Sequence, residues 1–431
     1  MVITYSKPKE NIKEKPKTKA TVVKEQILLE HYRTSPIAPK LTEERPTGFV
    51  SVKNNNWNFE EIGIKETQYL THFFHHWAAK FIPQIPQNII RKYGKSGDIV
   101  LDPFAGCGTT LVEAKLLGCP SYGIDINPLA IKICQAKIDK IDNQLLEKFL
   151  LWLDHYNNNY ELLFKKGQLQ LFKEEKFPED PTLFEGSDKW FRSDVAKCIK
   201  LILQKIKNFD SNIKNFIEVG LSDLLKGISN ARSDRTVPAL PKNSRYYDKK
   251  HERWLDNETR KINVFQRLSS QLKRMFLTLE QFHHLSDNRI ICRPILGDAR
   301  YLSRFVPKAN IVITSPPYWS AQNYQKLHFV SFKILDLNEP GQTEIGRNPS
   351  DYLNDMDMVA GELSRILDGI FAIVIGESKD NIHEEVKNLI LARGMKVVET
   401  IKRTISNHTF FAKAVQQEFI YVFKNTPKWR R

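Results

Sequence analysis

Residues 98–130 read DIVLDPFAGCGTTLVEAKLLGCPSYGIDINPLA. A short apolar run enters Gly106 and Gly108, a helix-compatible run opens near Thr109, and a second strand-like run ends at Asp125. Strand, glycine turn, helix and strand within one short span predict the opening of a βαβ unit, and hence a parallel sheet. Glycine lets the backbone turn tightly and approach a ligand, while free N–H groups at a helix start favour a negative group such as a carboxylate. Asp125 stands at about the ~20-residue spacing at which a carboxylate receives ribose hydroxyls, so a nucleoside pocket is expected. A nicotinamide fingerprint asks for a third glycine at position 111, where this chain has Leu111, and that disfavours an oxidoreductase.

Outward from this span, strand-like texture returns at 290–298, 309–317, 369–378, 396–405 and 418–425, mostly separated by helical material. Such alternation predicts a doubly wound, mostly parallel α/β sheet. A helical pattern is expected over Thr67–Tyr93, with Gly94 and Gly97 as stop signals. Residues 1–50 are Lys-rich and interrupted by proline, a flexible basic tail, with order beginning near Trp57. Residues 51–134 form the cofactor-binding half. Residues 135–288, helical and charged around a central loop (ISNARSDRTVPALPKNSRYYDKKHERW), read as an insertion, and 289–431 complete the catalytic half.

The chain of 431 residues carries 65 Lys and Arg against 50 Asp and Glu, a formal charge of +15 that points to a polyanionic partner. No apolar stretch approaches the roughly 20 residues needed to span a bilayer, so no membrane partner and a cytoplasmic location are expected. The cysteines at 107, 119, 134, 198 and 292 form no C-x-x-C pair, and no metal is expected.

Residues 313–324, ITSPPYWSAQNY, follow the β-branched run Ala309–Ile313 with two prolines and then aromatic residues. Proline lacks an N–H and holds φ near −65°, so Ser315-Pro316-Pro317 should form a stiff, projecting turn whose carbonyls stay out of any ladder. Taken together, DPFAGCGTT and TSPPYW resemble the cofactor loop and catalytic motif of the S-adenosylmethionine-dependent DNA methyltransferases that modify exocyclic amino groups, with HHWAAKFIPQIP (75–86) resembling the segment that precedes the loop in many of them. The resemblance covers roughly 67–130 and 290–425. It implies a Rossmann-like seven-stranded methyltransferase fold with a large, mainly helical insertion. It assigns Asp102 and the loop Phe104, Ala105, Gly106, Gly108, Thr109, Thr110 to the methionine end of S-adenosylmethionine, Asp125 with Ile126 to the ribose, Asp298 with Ala299 to the adenine, and Lys80 with Phe81 to closing the pocket.

An amino group on a base is a poor nucleophile because its lone pair is delocalised into the ring. Accepting both of its hydrogens localises that pair and aims it at the methyl donor. The Ser315 hydroxyl and the Pro316 carbonyl are the expected acceptors, Pro317 holds the carbonyl, and Tyr318 stacks on a base flipped out of the duplex, with Trp319 and Tyr324 packing beside it. Attack at cytosine C5 needs a thiolate, and no cysteine follows Cys292. Within the family, serine before Pro-Pro-Tyr accompanies N4-cytosine methylation and Asp or Asn accompanies N6-adenine, so N4 is expected and N6 is the alternative. The insertion is the expected target-recognition region, where Arg232, Arg235, Lys242, Arg245, Lys249, Lys250 and Arg253 gather beside Tyr246, Tyr247 and Trp254. Double-stranded DNA and a companion restriction endonuclease are the expected partners. An RNA methyltransferase and a DNA-binding protein without turnover are the rivals, the latter set against intact Gly106, Gly108, Asp125 and Ser-Pro-Pro-Tyr.

Overall fold

The computed structural model describes residues 44–425 except 53–55, 79, 164–176, 233–236, 241–244, 249–252, 257–259, 318–323, 340–344, 346–347, 378–379 and 406–416. Most of the predicted tail, with Arg235, Lys242, Lys249, Lys250, Tyr318 and Trp319, therefore lies outside the described residues. A seven-stranded sheet is formed by β1 (Val100–Asp102), β2 (Ser121–Asp125), β5 (Cys292–Leu296), β6 (Ala309–Thr314), β7 (Leu367–Gly376), β8 (Met395–Thr404) and β9 (Gln417–Asn425), in the order β5-β2-β1-β6-β7-β9-β8. The first five in that order pair in parallel, and β9 enters antiparallel between β7 and β8. The doubly wound, mostly parallel sheet expected from the sequence is thus present. Strands β3 (Arg245–Asp248) and β4 (Arg253–Asp256) form a separate two-stranded ribbon.

The central strands are short apolar runs because both of their faces are covered. On β6, Ile311 and Ile313 face one apolar cluster with Ile85 and Ile89 of α1 (Gln84–Tyr93), while Val312 faces another with Tyr352 and Met356 of α9 (Pro349–Ile366). The strand order reverses between β1 and β6, neighbours in register through Val100 with Ile311 and Leu101 with Val312. That switch point sets the loop after β1 beside the turn after β6, in the crevice where ligands of open α/β sheets bind.

Helices α2 (Thr109–Leu116) and α3 (Pro128–Ile138) follow β1 and β2. The stretch expected as an insertion supplies α4 (Asn143–Asn158), α5 (Ser193–Ile206), α6 (Ser211–Ile228) and α7 (Val264–Leu285). Their buried residues, among them Phe149, Ile202, Phe216 and Leu272, share one apolar cluster with Leu111 and Val112 of α2 and Ile133 of α3. These helices form a layer on the cofactor half rather than a body with its own core.

Two expectations need correction. Of the helix expected over Thr67–Tyr93, only Gln84–Tyr93 is α-helical, preceded by single 3₁₀ turns at Lys65–Thr67 and Leu70–Phe73. Pro83 occupies the N-cap and restricts Ile82 before it, and upstream Tyr69 and His72 turn inward onto a buried carboxylate instead of following a helical face. The loop expected in the middle of the insertion contains the β3–β4 ribbon, whose register pairs Arg245 with Asp256 and Tyr247 with Trp254.

Candidate active site

The chain leaves β1 at Asp102 and enters α2 through Gly106 at φ +48° and Gly108 at φ +77°, the left-handed region that favours glycine. Space at both is also closed: a Cβ on Gly108 would lie 2.8 Å from Cys134 Sγ, and one on Gly106 would lie 3.0 Å from Trp77 Nε1. From α3, the fully buried Lys137 donates its Nζ to the Cys107 carbonyl at 2.7 Å, and the Cys134 thiol reaches the Gly106 carbonyl at 3.3 Å. Burial pushes the Cys107 thiol up, but the nearby Lys137 and Lys80 ammoniums outweigh it and the net shift is downward. No side chain caps the start of α2, so its first-turn amides, with Thr109 and Thr110 buried beside them, face the crevice with the positive end of the helix dipole.

Asp125, at the end of β2, accepts from Gly106 N–H at 2.8 Å through Oδ2 and from Asn127 N–H at 2.9 Å through Oδ1. Two lone-pair positions remain on that carboxylate. Burial raises its pKa to about 6 against those hydrogen bonds. Ile126 beside it is half-buried, and Asn127 caps α3.

Asp102 does something the sequence did not signal. Its carboxylate accepts from Thr110 Oγ1 at 2.6 Å, from Phe104 N–H at 3.1 Å and from Thr314 Oγ1 at 2.7 Å. One buried acid therefore ties the cofactor loop, the start of α2 and the end of β6 together, and burial raises its pKa to about 6. Thr314 immediately precedes the Ser-Pro-Pro turn, where Ser315 and Pro317 are half-buried and Pro316 is buried. Tyr318 and Trp319 are outside the described residues, as is the side chain of Tyr324.

Lys80 donates its Nζ to the His72 carbonyl at 2.9 Å, and burial lowers its pKa to about 8. Phe81 packs at the edge of the apolar cluster around Ile85 and Ile89. Trp77, from the same segment, lies against Gly106 and stacks on His328 with centroids 4.7 Å apart and planes 14° apart. Glu113 of α2 holds the segment down: fully buried, it accepts from Tyr69 Oη at 2.6 Å, His72 Nε2 at 2.8 Å and Gln87 Nε2 at 3.2 Å. Burial raises the Glu113 carboxyl to about 7 and holds His72 well below the usual histidine range, so a neutral His72 donates from Nε2 to the carboxylate.

Asp298 lies at the end of β5, beside Asp125, whose carbonyl accepts from Gly297 N–H at 3.0 Å. Its carboxylate is engaged by Arg300 through Nε at 3.0 Å and Nη2 at 2.6 Å, while Arg300 also reaches Asp355 at 2.9 Å. Ala299 is buried in a cluster that Phe104 packs against, and Ala105 is buried in the loop itself. The described fold thus joins the loop to Asp125 through the Gly106 N–H, ties Asp102 to the strand end that leads into the Ser-Pro-Pro turn, and sets β5, which leads to Asp298, beside β2, while Lys80 bonds the His72 carbonyl. Arg232 and the ribbon residues Arg245, Tyr246 and Tyr247 belong to the stretch between α6 and α7 instead. Sequence reading missed Thr314, Trp77, Glu113 and Lys137; Thr314 and Trp77 sit inside quoted motifs, whereas Glu113 and Lys137 look like ordinary exposed positions of charged helices.

A family model described as DNA methylase matches residues 1–136. The type II methyltransferase M.MjaII of Methanocaldococcus jannaschii is 24% identical over 85% of this chain and 82% of its own length. By these matches the chain resembles the DNA methylases. The type II methyltransferase M.MvaI of Kocuria varians is 28% identical, spanning 68% of this methyltransferase and 64% of itself. Among solved structures, an rRNA methyltransferase, aviRa, from Streptomyces viridochromogenes is 10% identical over 82% of this chain and 89% of that one, at a TM-score of 0.31. The cofactor of this methyltransferase is S-adenosylmethionine. Its chain fits that group: an uncapped helix start suits the carboxylate of the methionine end, and Asp125 keeps acceptor positions for ribose hydroxyls. Among the described residues, no group of three or more His, Cys, Asp or Glu is arranged to hold a metal ion, and no helix is long and apolar enough to cross a membrane.

Proposed function

We propose that this methyltransferase modifies the N4 amino group of cytosine at a specific duplex DNA sequence, as the modifying member of a restriction–modification pair. The observation that carries the reading is the Thr314–Asp102 hydrogen bond at 2.7 Å, which holds the Ser-Pro-Pro turn against the cofactor loop. Supporting the restriction–modification context, the relatives above are named type II methyltransferases.

S-adenosylmethionine, when bound, supplies an electrophilic methyl group. The residues proposed to hold it are Asp102 and the 104–110 loop at the methionine end, Asp125 and Ile126 at the ribose, Asp298 and Ala299 at the adenine, and Lys80 with Phe81 across the opening. Arg300 would hold the Asp298 carboxylate in place while one of its lone pairs remains for an amino hydrogen. Facing it, the Ser315 hydroxyl and Pro316 carbonyl accept the two hydrogens of a flipped cytosine amino group and turn its lone pair toward the methyl donor. Pro317 denies that carbonyl any freedom, and Tyr318 stacks on the base. Serine rather than Asp or Asn before the prolines favours cytosine. Residues 135–288 contain the proposed target-recognition region, with Arg232, Arg235, Arg245, Tyr246 and Tyr247 on DNA.

Modification-sensitive sequencing of DNA from cells expressing the protein, compared with a Ser315→Ala variant, tests this. N4-methylcytosine at one motif, lost in the variant, is expected. N6-methyladenine at that motif would replace the cytosine reading, and methylation of RNA alone would overturn the DNA reading.

A further inference from the structure

Helix α3 carries Lys132 and Lys137, and the two keep different company. Lys132 pairs with Glu218 at 2.6 Å. Lys137 is fully buried and bonds a backbone oxygen instead, the Cys107 carbonyl at 2.7 Å. Lys80, whose charge Lys137 opposes, likewise bonds a carbonyl, that of His72 at 2.9 Å. Among the described residues, no carboxylate forms an ion pair with either ammonium. Asp223 acts on Lys80 from further off, and its oxygens are engaged by His76 N–H at 2.8 Å and Gln271 Nε2 at 3.1 Å.

The other polar groups around Lys137 do not compensate it. His72 and His75, which feel its charge, are neutral: burial holds His72 well below the usual histidine range and His75 at about 3. His75 Nε2 meets Ser222 Oγ of α6 at 2.9 Å, and Ser222 meets Ser331 of α8 (Phe329–Ile334) at 2.8 Å, so the groups beyond are uncharged as well. Lysine is almost never fully buried unless paired, and a buried charge without its counter-ion is costly. The place adds to that cost. Cys107 stands two residues before Thr109, where α2 begins uncapped, and a cation beside the positive end of a helix dipole is repelled. The field reaches the loop itself: burial raises the Cys107 thiol, Lys137 is the strongest opposing influence, and the net shift is downward.

We propose that Lys137 is a positioning residue for the cofactor: its charge, acting from the Cys107 carbonyl rather than by contact, makes the start of α2 select a ligand that carries a carboxylate. This rests on the methyltransferase reading above and deepens it. The uncompensated positive charge burdens the free fold. It is offset when a carboxylate, such as that of the methionine end of S-adenosylmethionine, settles at the free amides of α2. A hydrogen bond to the Cys107 carbonyl alone needs no charge, since an amide or a hydroxyl donates as well. What a lysine adds at that place is the sign of its field.

The test uses the full chain and two unreactive ligands: S-adenosylhomocysteine, and its decarboxylated analogue, which keeps the nucleoside, the sulfur and the amine. Calorimetry measures both on the wild type, on Lys137→Gln, which keeps a donor for the Cys107 carbonyl without the charge, and on Lys137→Met, which keeps neither; thermal melts check that each folds. The wild type should bind S-adenosylhomocysteine about tenfold or more tighter than the analogue, the scale of one charge pair at several ångströms and an effective dielectric of about 20. Both variants should lose that preference, through weaker binding of S-adenosylhomocysteine and unchanged or tighter binding of the analogue, whose amine no longer meets a like charge. A purely structural lysine cannot shift the two ligands in different directions. Equal weakening of both ligands overturns the proposal, as does a Lys137→Gln protein with the wild-type preference, which would assign the effect to the hydrogen bond. If Lys137→Met fails to fold, Lys137→Gln decides by the same comparison. A wild type that binds neither ligand overturns the methyltransferase reading itself, a separate outcome.

Discussion

Thr314→Val removes one hydroxyl and almost nothing else. The side chain is buried, the replacement has nearly its shape, and the lost contact is the 2.7 Å bond to Asp102. A hydrogen bond to an ionised carboxylate contributes about 1.5–3 kcal/mol, and a neutral one about 0.5–1.5 kcal/mol. Asp102 titrates at about 6, and loss of a donor to its charged form raises that value further. The cost of the substitution should therefore be about 1.5–3 kcal/mol at pH 8, where the acid is charged, and roughly half that at pH 5, where it is neutral. Thr110 and Phe104 still hold Asp102 to the loop, so cofactor affinity should change less than threefold, a change on the order of 0.6 kcal/mol. Methyl transfer should fall by about ten- to a hundredfold, because the turn loses its tether and small displacements of reacting groups are costly. Urea unfolding at both pH values, calorimetry with S-adenosylmethionine and single-turnover methylation together give the answer. An equal stability loss at both pH values, or parallel loss of cofactor binding and turnover, would refute the idea that Asp102 couples the two halves through its charge.

Gly108→Ala forces a left-handed alanine whose Cβ meets Cys134 Sγ at 2.8 Å, and should cost about 2–4 kcal/mol in urea unfolding; Cys134→Ala should relieve the packing part and leave the backbone part of about 1–2 kcal/mol. Glu113 has a folded pKa of about 7 against 4.5 when unfolded, so the proton it keeps stabilises the fold fully below pH 4.5 and that stabilisation disappears as pH rises through 7. Glu113→Gln should consequently flatten the fall in melting stability between pH 5 and pH 8, by on the order of 3 kcal/mol. On the proposed placement, ribose hydroxyls would donate to the charged form of Asp125, so cofactor affinity should weaken as pH drops below about 6, and Asp125→Asn should remove that pH dependence in calorimetry. An Asp125→Asn protein with the wild-type pH profile would place the ribose elsewhere.

Much of the fold was legible because its signals are local. The run 98–130 carries its strand, turn, helix and strand in contiguous patterns, and α2 begins at Thr109 and β2 ends at Asp125, as read. The segment 67–83 was misread because its apolar spacing mimics a helix while Tyr69 and His72 serve a buried carboxylate far along the chain. The ribbon at 245–256 escaped for another reason: Lys, Arg, Asp and Tyr in a polar stretch give no alternation of apolar and polar residues.

From its sequence alone, this protein's cofactor turn and proline turn could be recognised, since left-handed glycines and N–H-less prolines impose backbone geometry wherever they stand. That these two turns share a crevice was decided only by the tertiary structure. Strand order puts β6 beside β1, and the bond that seals them joins Asp102 to Thr314 across 212 positions of chain. Such a contact leaves no periodic trace in either segment, because each residue is chosen for a partner that folding alone brings near.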